Sequence, residues 1–372
     1  MPHSRQDRFA HPELSTRCCL VGAALLSAVL PVIGSAHAWA DESIVLDFVR
    51  HGQSTANVGG LFDKGTLNTV VPGPELTQLG EEQAEAVAKV LAPGAPYAGI
   101  YESAMIRTQE TAQPLLDMLH ASLQILPGLD EIDDGIFEGQ PTISLAGLLY
   151  VLPQISWIFG LDFVPILGST DPNGIAFDER YSDAIQTIYN NDFDVSNPVV
   201  SPDGKITDVV FSHDAAISVW TLMNVNNPDP LLYVTDMLPN TGQAVVQGSP
   251  EEGWTLVSWN GTPIGPASLP TELFVDFRDV IVAPQLAGYN IGQAIATGDP
   301  TTIVSAIRTG AYDVGAATLN FPVAVARDIV DAVRDALPGS LSLGDVPASL
   351  AGLPGDVSAM VGSLVDPALA SI

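Results

Sequence analysis

The sequence predicts an α/β protein: a mostly parallel central sheet between helical layers, followed by a helical C-terminal extension. Three observations carry this. Strand-like and helix-like segments alternate from Ser43 to about Gly265, the rhythm of a wound sheet. Hydrophobic residues make up 47% of the 372 and charged residues 15%, which supplies a large core and argues against global disorder. From Pro266 onward lysine disappears, Ala, Val, Gly, Leu and Pro dominate, and apolar residues recur at helical spacing.

Taken in order, SIVLDFVRH (43–51) is an apolar run suited to a buried strand, and TQLGEEQAEAVAKVL (77–91) a helix capped by Thr77. AGIYES (98–103) is a short strand, followed by the helix AMIRTQETAQPLLDML (104–119), opened by Ser103, and the short strand SLQIL (122–126). ITDVVFSH (206–213) is a strand leading into the helix AAISVWTLM (215–223), and GWTLVSWNG (253–261) is expected at the sheet's edge. His120 falls at a helix end, where a cation suits the dipole, and reads as structural.

Residues 141–176 interrupt the rhythm. They are strongly apolar, with only Asp162 and Asp171 charged, and Pro153 and several glycines break the run, which argues against a membrane span. Two readings stay open: a satellite core under a long loop, or a cap over the active site with an apolar inner face. In the extension, 303–319 and 323–337 have helical spacing, whereas 339–372 is nearly free of aromatics and is expected to fray. The extension is either an appendage packed on the domain or an attachment to an apolar cell envelope.

The N-terminus reads as an export signal. Arg5, Arg8 and Arg17 precede the apolar run CLVGAALLSAVLPVIG, and Ala38-Trp39-Ala40 fits a small-x-small cleavage pattern before Asp41. The alternative is an uncleaved anchor, for which the run is short. The organisation expected is therefore a signal peptide over 1–40, a catalytic domain over 41–265 with the insert at 141–176, and an extension over 266–372, in a secreted or envelope-located protein. Cleavage would remove Cys18 and Cys19, leaving no disulfide or thiolate chemistry. It would leave His51, His120 and His213 as the histidines, little from which to build a zinc site. The formal net charge of −30 repels nucleic acid and anionic membrane, both of which bind through phosphates that need Lys and Arg.

That acidity makes each cation worth locating. From 41 to 265 they are Arg50, Lys64, Lys89, Arg107, Arg180 and Lys205. Arg50 and His51 end one strand, Arg107 lies in the first turn of a helix after another, and His213 ends a third. Open parallel sheets place ligands at the carboxyl ends of their strands. Guanidiniums there can clamp a phosphate bidentately, and helix N-termini add N–H donors. An imidazole beside such a clamp can attack phosphorus, and a leaving alkoxide then needs a proton. Glu131, in GLDEIDDGIFEG, and Asp214, directly after His213, are candidate acids. Arg180 could touch substrate, but a surface role is the reading favoured.

FVRHGQSTAN, LTQLGEEQA, YESAMIRTQETA, LDEIDDGIFEG, FSHDAAI and LPNTGQAVV occur in this order between residue 43 and about 260. This series resembles the histidine phosphatase superfamily, in the branch containing cofactor-independent phosphoglycerate mutases and many phosphatases. The resemblance implies a three-layer, phosphoglycerate mutase-like sandwich. It implies His51 as nucleophile, Arg50, Arg107 and His213 as phosphoryl ligands, and Asn57 as a further hydrogen-bond donor. Glu131 would be the general acid and then the base that activates water. No metal or organic cofactor would be required. One position departs from the branch: its second histidine is usually followed by glycine, and here by Asp214. A His-Asp pair marks the acid-phosphatase branch, where the aspartate donates the proton. The signature RHGQSTAN favours Glu131, with Asp214 the alternative.

Mutase activity would call for further cations around the pocket to retain a bisphosphate, and this domain has few. Hydrolysis of a small-molecule or lipid phosphomonoester is therefore expected, with a mutase-like phosphotransferase as one alternative and an inactive envelope-binding protein as another. An apolar insert suggests an ester with a sizeable nonpolar part.

Overall fold

A computed structural model of the chain describes residues 43–58, 65–195 and 197–336. The expected signal peptide at 1–40, Lys64 and the expected fraying tail at 339–372 lie outside these residues.

A seven-stranded sheet of order β3-β2-β4-β1-β5-β6-β7 is the centre of the molecule. Its strands are β1 (Ile44–Arg50), β2 (Gly99–Glu102), β3 (Gln124–Ile125), β4 (Ile206–Ser212), β5 (Gln243–Ser249), β6 (Gly253–Trp259) and β7 (Thr262–Pro263). The half built from β3, β2, β4 and β1 is parallel, and β5, β6 and β7 continue it antiparallel. β6 is thus not the edge expected of it. The two-residue β7 pairs with it and takes that place.

Helices cover both faces. On one, α1 (Gln78–Leu91) and α2 (Ile106–Leu119) bury Val87, Leu91, Leu115 and Leu116 against Val49, Ile100, Val209 and Phe211 of the sheet. On the other, α3 (Leu145–Ile158), α4 (Gly174–Phe193) and α5 (Asp214–Asn224) close a larger core around Phe48, Trp157, Phe177, Tyr181 and Trp220. This is the three-layer sandwich expected. α1 begins as read, with the Thr77 hydroxyl accepting from the Gly80 N–H. α2 does not: its cap position is Met105, with no side-chain cap, and Ser103 is engaged elsewhere.

The insert is more regular than its Pro153 suggested. α3 runs through that proline, which has no N–H to give the ladder, for 14 residues. It answers both open readings of the segment. Trp157 and Ile158 belong to the core, while Tyr150, Val151 and Gln154 line a pocket.

A short helix, α6 (Leu232–Thr235), precedes β5. After β7 the chain forms two long helices, α7 (Leu269–Thr297) and α8 (Pro300–Ala336), the second running without a break through 303–319 and on through the second segment of helical spacing as far as Ala336. The pair is docked on the domain. Arg278 of α7 is 1% exposed and donates to the carbonyls of Leu222 and Val225 at the end of α5. Gln285 donates to the Gly160 carbonyl and accepts from the Phe163 N–H, tying α7 to the insert. Among the described residues, no helix is long and apolar enough to cross a membrane.

Candidate active site

Strand register assembles the site. In the parallel ladders Arg50 lies opposite Ser212 and Glu102 opposite Phe211, so β1, β2 and β4 end level. The residues that follow, His51, Ser103 and His213, leave the sheet together. The His51 N–H donates to the Ser212 carbonyl at 3.0 Å and the Ser103 N–H to the Phe211 carbonyl at 3.1 Å, which fixes both exits. The His51 and His213 rings stand edge to face, 5.2 Å between centroids. Gly52 and Gly80 bring α1 hard against this turn: a Cβ on Gly52 would lie 2.6 Å from the Gly80 carbonyl oxygen.

His51 is 4% exposed, and its Nδ1 lies 2.7 Å from the Gly52 carbonyl oxygen. A carbonyl only accepts, so Nδ1 carries the proton and Nε2 keeps its lone pair. Burial, then the charges of Arg107 and Arg50, hold the imidazole well below its usual pKa. The ring is neutral and nucleophilic.

Both guanidiniums are partly spent on the protein and partly unpartnered. Arg107 donates from Nε to His213 Nδ1 at 3.2 Å and from Nη2 to the Asn68 carbonyl at 3.2 Å, while its Nη1 is buried with no partner. Arg50 donates from Nη1 to Asp214 Oδ2 at 3.1 Å and to the Leu238 carbonyl, while its Nε is buried with no partner. Burial lowers the Arg107 pKa only to about 10, so it remains a cation at neutral pH. A buried donor without an acceptor costs about 1–3 kcal/mol, more when charged.

His213 is fully buried and stands behind Arg107 rather than lining the pocket. Its Nδ1 accepts from Arg107, so Nε2 carries the proton and donates to Ser103 Oγ at 2.8 Å. Ser103 Oγ also contacts Thr108 Oγ1 at 2.8 Å. Ser103, taken from sequence as a helix opener, is therefore the orienting partner of the second histidine.

The two candidate acids differ in what their oxygens do. Glu131 Oε1 accepts from the N–H groups of Ile132 at 3.0 Å and Ala216 at 2.8 Å, leaving Oε2 for a ligand. Burial raises its pKa, against the pull of those N–H groups and of Arg107. Asp214 has both oxygens engaged, Oδ2 by Arg50 and Oδ1 by the Ser218 hydroxyl at 3.3 Å. Burial raises its pKa too, against Arg50.

Asn57 Oδ1 accepts from the Ser54 N–H at 3.0 Å and from Asn240 Nδ2 at 3.3 Å, which frees its own NH2 as a donor. Asn240 also donates to the His51 carbonyl at 3.2 Å. It sits in LPNTGQ, a segment of the family series, but nothing in its local pattern marked it as a neighbour of His51. Arg180 is not the surface residue expected. It pairs with the buried Asp171 at 2.8 Å and donates to the carbonyls of Gly128 and Asp130 at 2.8 and 3.0 Å, clamping the loop that carries Glu131.

These groups surround a pocket of about 310 Å³, with Arg50, His51, Asn57, Arg107, Glu131, Asp214 and Asn240 on its polar side. Tyr150 and Tyr233 also line it. The Tyr150 hydroxyl donates to the Ile132 carbonyl at 2.6 Å, and Tyr233 bonds Gln154, tying α6 to α3. The cations among the lining residues are Arg50 and Arg107. Among the described residues, no group of three or more His, Cys, Asp or Glu side chains is placed to hold a metal.

A model of the histidine phosphatase superfamily (branch 1) matches residues 46–262. The PE-PGRS family protein PE_PGRS11 of Mycobacterium tuberculosis is 54% identical over 305 residues, which is 82% of this chain and 51% of that protein. A 2,3-bisphosphoglycerate-dependent phosphoglycerate mutase of Rhizobium meliloti is 39% identical over 98 residues, 25% of this chain and 44% of the mutase. The chain thus spans about half the length of the curated relatives it matches. Among solved structures, a mycobacterial glucosyl-3-phosphoglycerate phosphatase superposes with a TM-score of 0.46 at 17% identity, covering 59% of this chain and all of that one.

Proposed function

We propose that this chain, which belongs to the histidine phosphatase superfamily (branch 1), is a phosphomonoesterase working through a phosphohistidine on His51. The observation that carries the reading is one pocket lined by His51, whose Nε2 lone pair is free, and by the two guanidinium side chains of Arg50 and Arg107. They supply a nucleophile and a place for the phosphoryl charge it attacks.

In the first step the Nε2 lone pair attacks phosphorus as the ester P–O bond breaks. The departing alkoxide takes the proton of the Glu131 carboxylic acid. The developing charge on the phosphoryl oxygens is met by Arg107, Arg50 and the Asn57 amide, with the His213 ring orienting Arg107 from behind. In the second step a water gives a proton to the Glu131 carboxylate and attacks phosphorus. The P–N bond breaks, its electron pair returns to Nε2, and inorganic phosphate leaves. Glu131 suits this role because one of its oxygens is unoccupied and burial favours its protonated form. Asp214 serves as the orienting partner of Arg50.

Hydrolysis is favoured over mutase chemistry by the cation supply. Retaining a bisphosphate needs positive charge beyond one phosphoryl site. Here Lys89 pairs with Glu85, Lys205 donates to Gln247 and Arg180 clamps Asp171, all away from the ligand. The leader-like segment 1–40 supports export, and the Ala-rich extension supports association with a cell envelope; both are part of this proposal. Turnover of para-nitrophenyl phosphate by the wild type and by His51→Ala tests the core of it. We expect measurable turnover in the wild type, unaffected by chelator, and loss in the variant. Equal background rates in both would favour an inactive binding protein.

A further inference from the structure

α3 is apolar on all sides, yet it is not buried on all sides. Tyr150, Gln154, Trp157 and Ile158 face inward, while Leu145, Leu148, Leu149 and Leu152 form a stripe at i, i+3, i+4 and i+7 on the outside. Leu145 is 72% exposed, Leu148 52% and Leu152 44%. A helix without a polar face ordinarily lies inside a core, so this one lacks a cover among the described residues. The stripe continues toward the pocket mouth. Leu148 neighbours Val151 one turn on, and Val151 lines the pocket. Next to it, α6, tied to α3 through Tyr233 and Gln154, exposes Leu231 and Val234 at its start and end, and Met237 both lines the pocket and is 57% exposed.

Charge identifies the occupant. From Pro141 to Leu161 there is no charged residue, in a chain whose net charge is −30. A nucleic acid, a basic peptide or an anionic bilayer would each find nothing to pair with on this face, and the overall charge would repel the first and last. Aliphatic side chains with almost no hydrogen-bonding groups reward hydrocarbon. α3 has 14 residues, too few to span a bilayer but suited to lie along its surface.

We propose that the outer face of α3, with the tip of α6, seats on an uncharged lipid surface, and that the pocket beside it takes a phosphomonoester headgroup presented there. The substrate part of this inference rests on the phosphomonoesterase reading, and the docking part does not.

The test compares the full chain with the double variant Leu148→Asp/Leu152→Asp, whose positions are exposed and outside the catalytic machinery. Co-sedimentation with phosphatidylcholine vesicles reads docking. Turnover of glycerol phosphate, and of phosphatidic acid diluted into the same vesicles, reads substrate choice. The expected result is vesicle binding that survives 0.5 M salt, weakens as anionic lipid replaces phosphatidylcholine, and falls tenfold or more in the variant. The variant should keep its glycerol phosphate turnover and lose most of its phosphatidic acid turnover. Equal binding by the two proteins, or binding abolished by salt, overturns the docking. A concentration-dependent dimer that the variant loses assigns the stripe to a second copy and also overturns it. Vesicle binding that follows the variant, with no ester hydrolysed by the wild type, sinks the phosphatase reading and leaves the docking intact.

Discussion

Glu131 Oε1 accepts a 2.8 Å hydrogen bond from the N–H of Ala216, in the first turn of the helix that Asp214 begins. One helix N-terminus therefore organises both candidate acids. It holds Glu131 by backbone and places Asp214 against Arg50. Glu131→Gln is expected to lower kcat on an alkyl phosphate by about 10²–10⁴-fold. The loss should be smaller on para-nitrophenyl phosphate, whose leaving group needs little protonation. Asp214→Asn releases Arg50 and should raise KM on both substrates by a similar factor. Steady-state kinetics on the pair separates the roles; a leaving-group-dependent loss in Asp214→Asn instead would make it the acid.

The pH profile follows from two perturbed groups. His51 must be neutral, and its pKa is held well below the usual value. Glu131 must be protonated at the first step, and its pKa is raised. Activity then occupies the window between them, falling at low pH as His51 gains a proton and at high pH as Glu131 loses one. The kcat/KM profile of Glu131→Gln should lose the alkaline limb and keep the acid one. Retention of the alkaline limb would argue that another group donates the proton.

Stability should fall as pH rises. Glu102 is fully buried with neither oxygen hydrogen-bonded among the described residues, and burial pushes its pKa up to about 8. Asp47 is raised to about 7 for the same reason. Both bind a proton more tightly folded than unfolded, so their contribution is complete below about pH 4 and is lost as pH rises through 7 to 8. Thermal melts should give a lower Tm at pH 8.5 than at pH 6, with the difference reduced in Glu102→Gln. An unchanged difference in that variant would remove Glu102 as a cause.

Arg180 ties Asp171, which is 3% exposed, to the loop before Glu131. Arg180→Met leaves that carboxylate buried and unpaired, at a cost of roughly 3 kcal/mol. Because the loop carries the acid, kcat should fall as well. Arg180→Met together with Asp171→Asn should recover most of the stability, measured by urea unfolding, and less of the kcat.

The mostly parallel sheet and the convergence of Arg50, His51, Arg107 and His213 were legible because Arg50, His51 and His213 end or directly follow apolar strands and Arg107 lies in the first turn of the helix after another. Ser103 was misread because the same serine suits a helix start and a histidine partner, and only the 2.8 Å contact across 110 residues decides. Asn240 and Arg180 act through backbone carbonyls of distant segments, which leave no mark on their own neighbourhoods. The edge strand was misplaced because two residues, Thr262 and Pro263, are too short a signal to displace β6. Pro153 marked a break in the chain, but the tertiary contacts of Trp157 and Tyr150 hold the helix through it.

The central claim is that His51 Nε2 carries the phosphoryl group during turnover. Rapid acid-free quenching of the enzyme with a phosphate ester labelled at phosphorus, followed by peptide mapping, tests it directly. The account predicts an acid-labile, base-stable label on the peptide containing His51, absent from His51→Ala and longer-lived in Glu131→Gln. Full turnover with no label on His51, or undiminished turnover by His51→Ala, would contradict it.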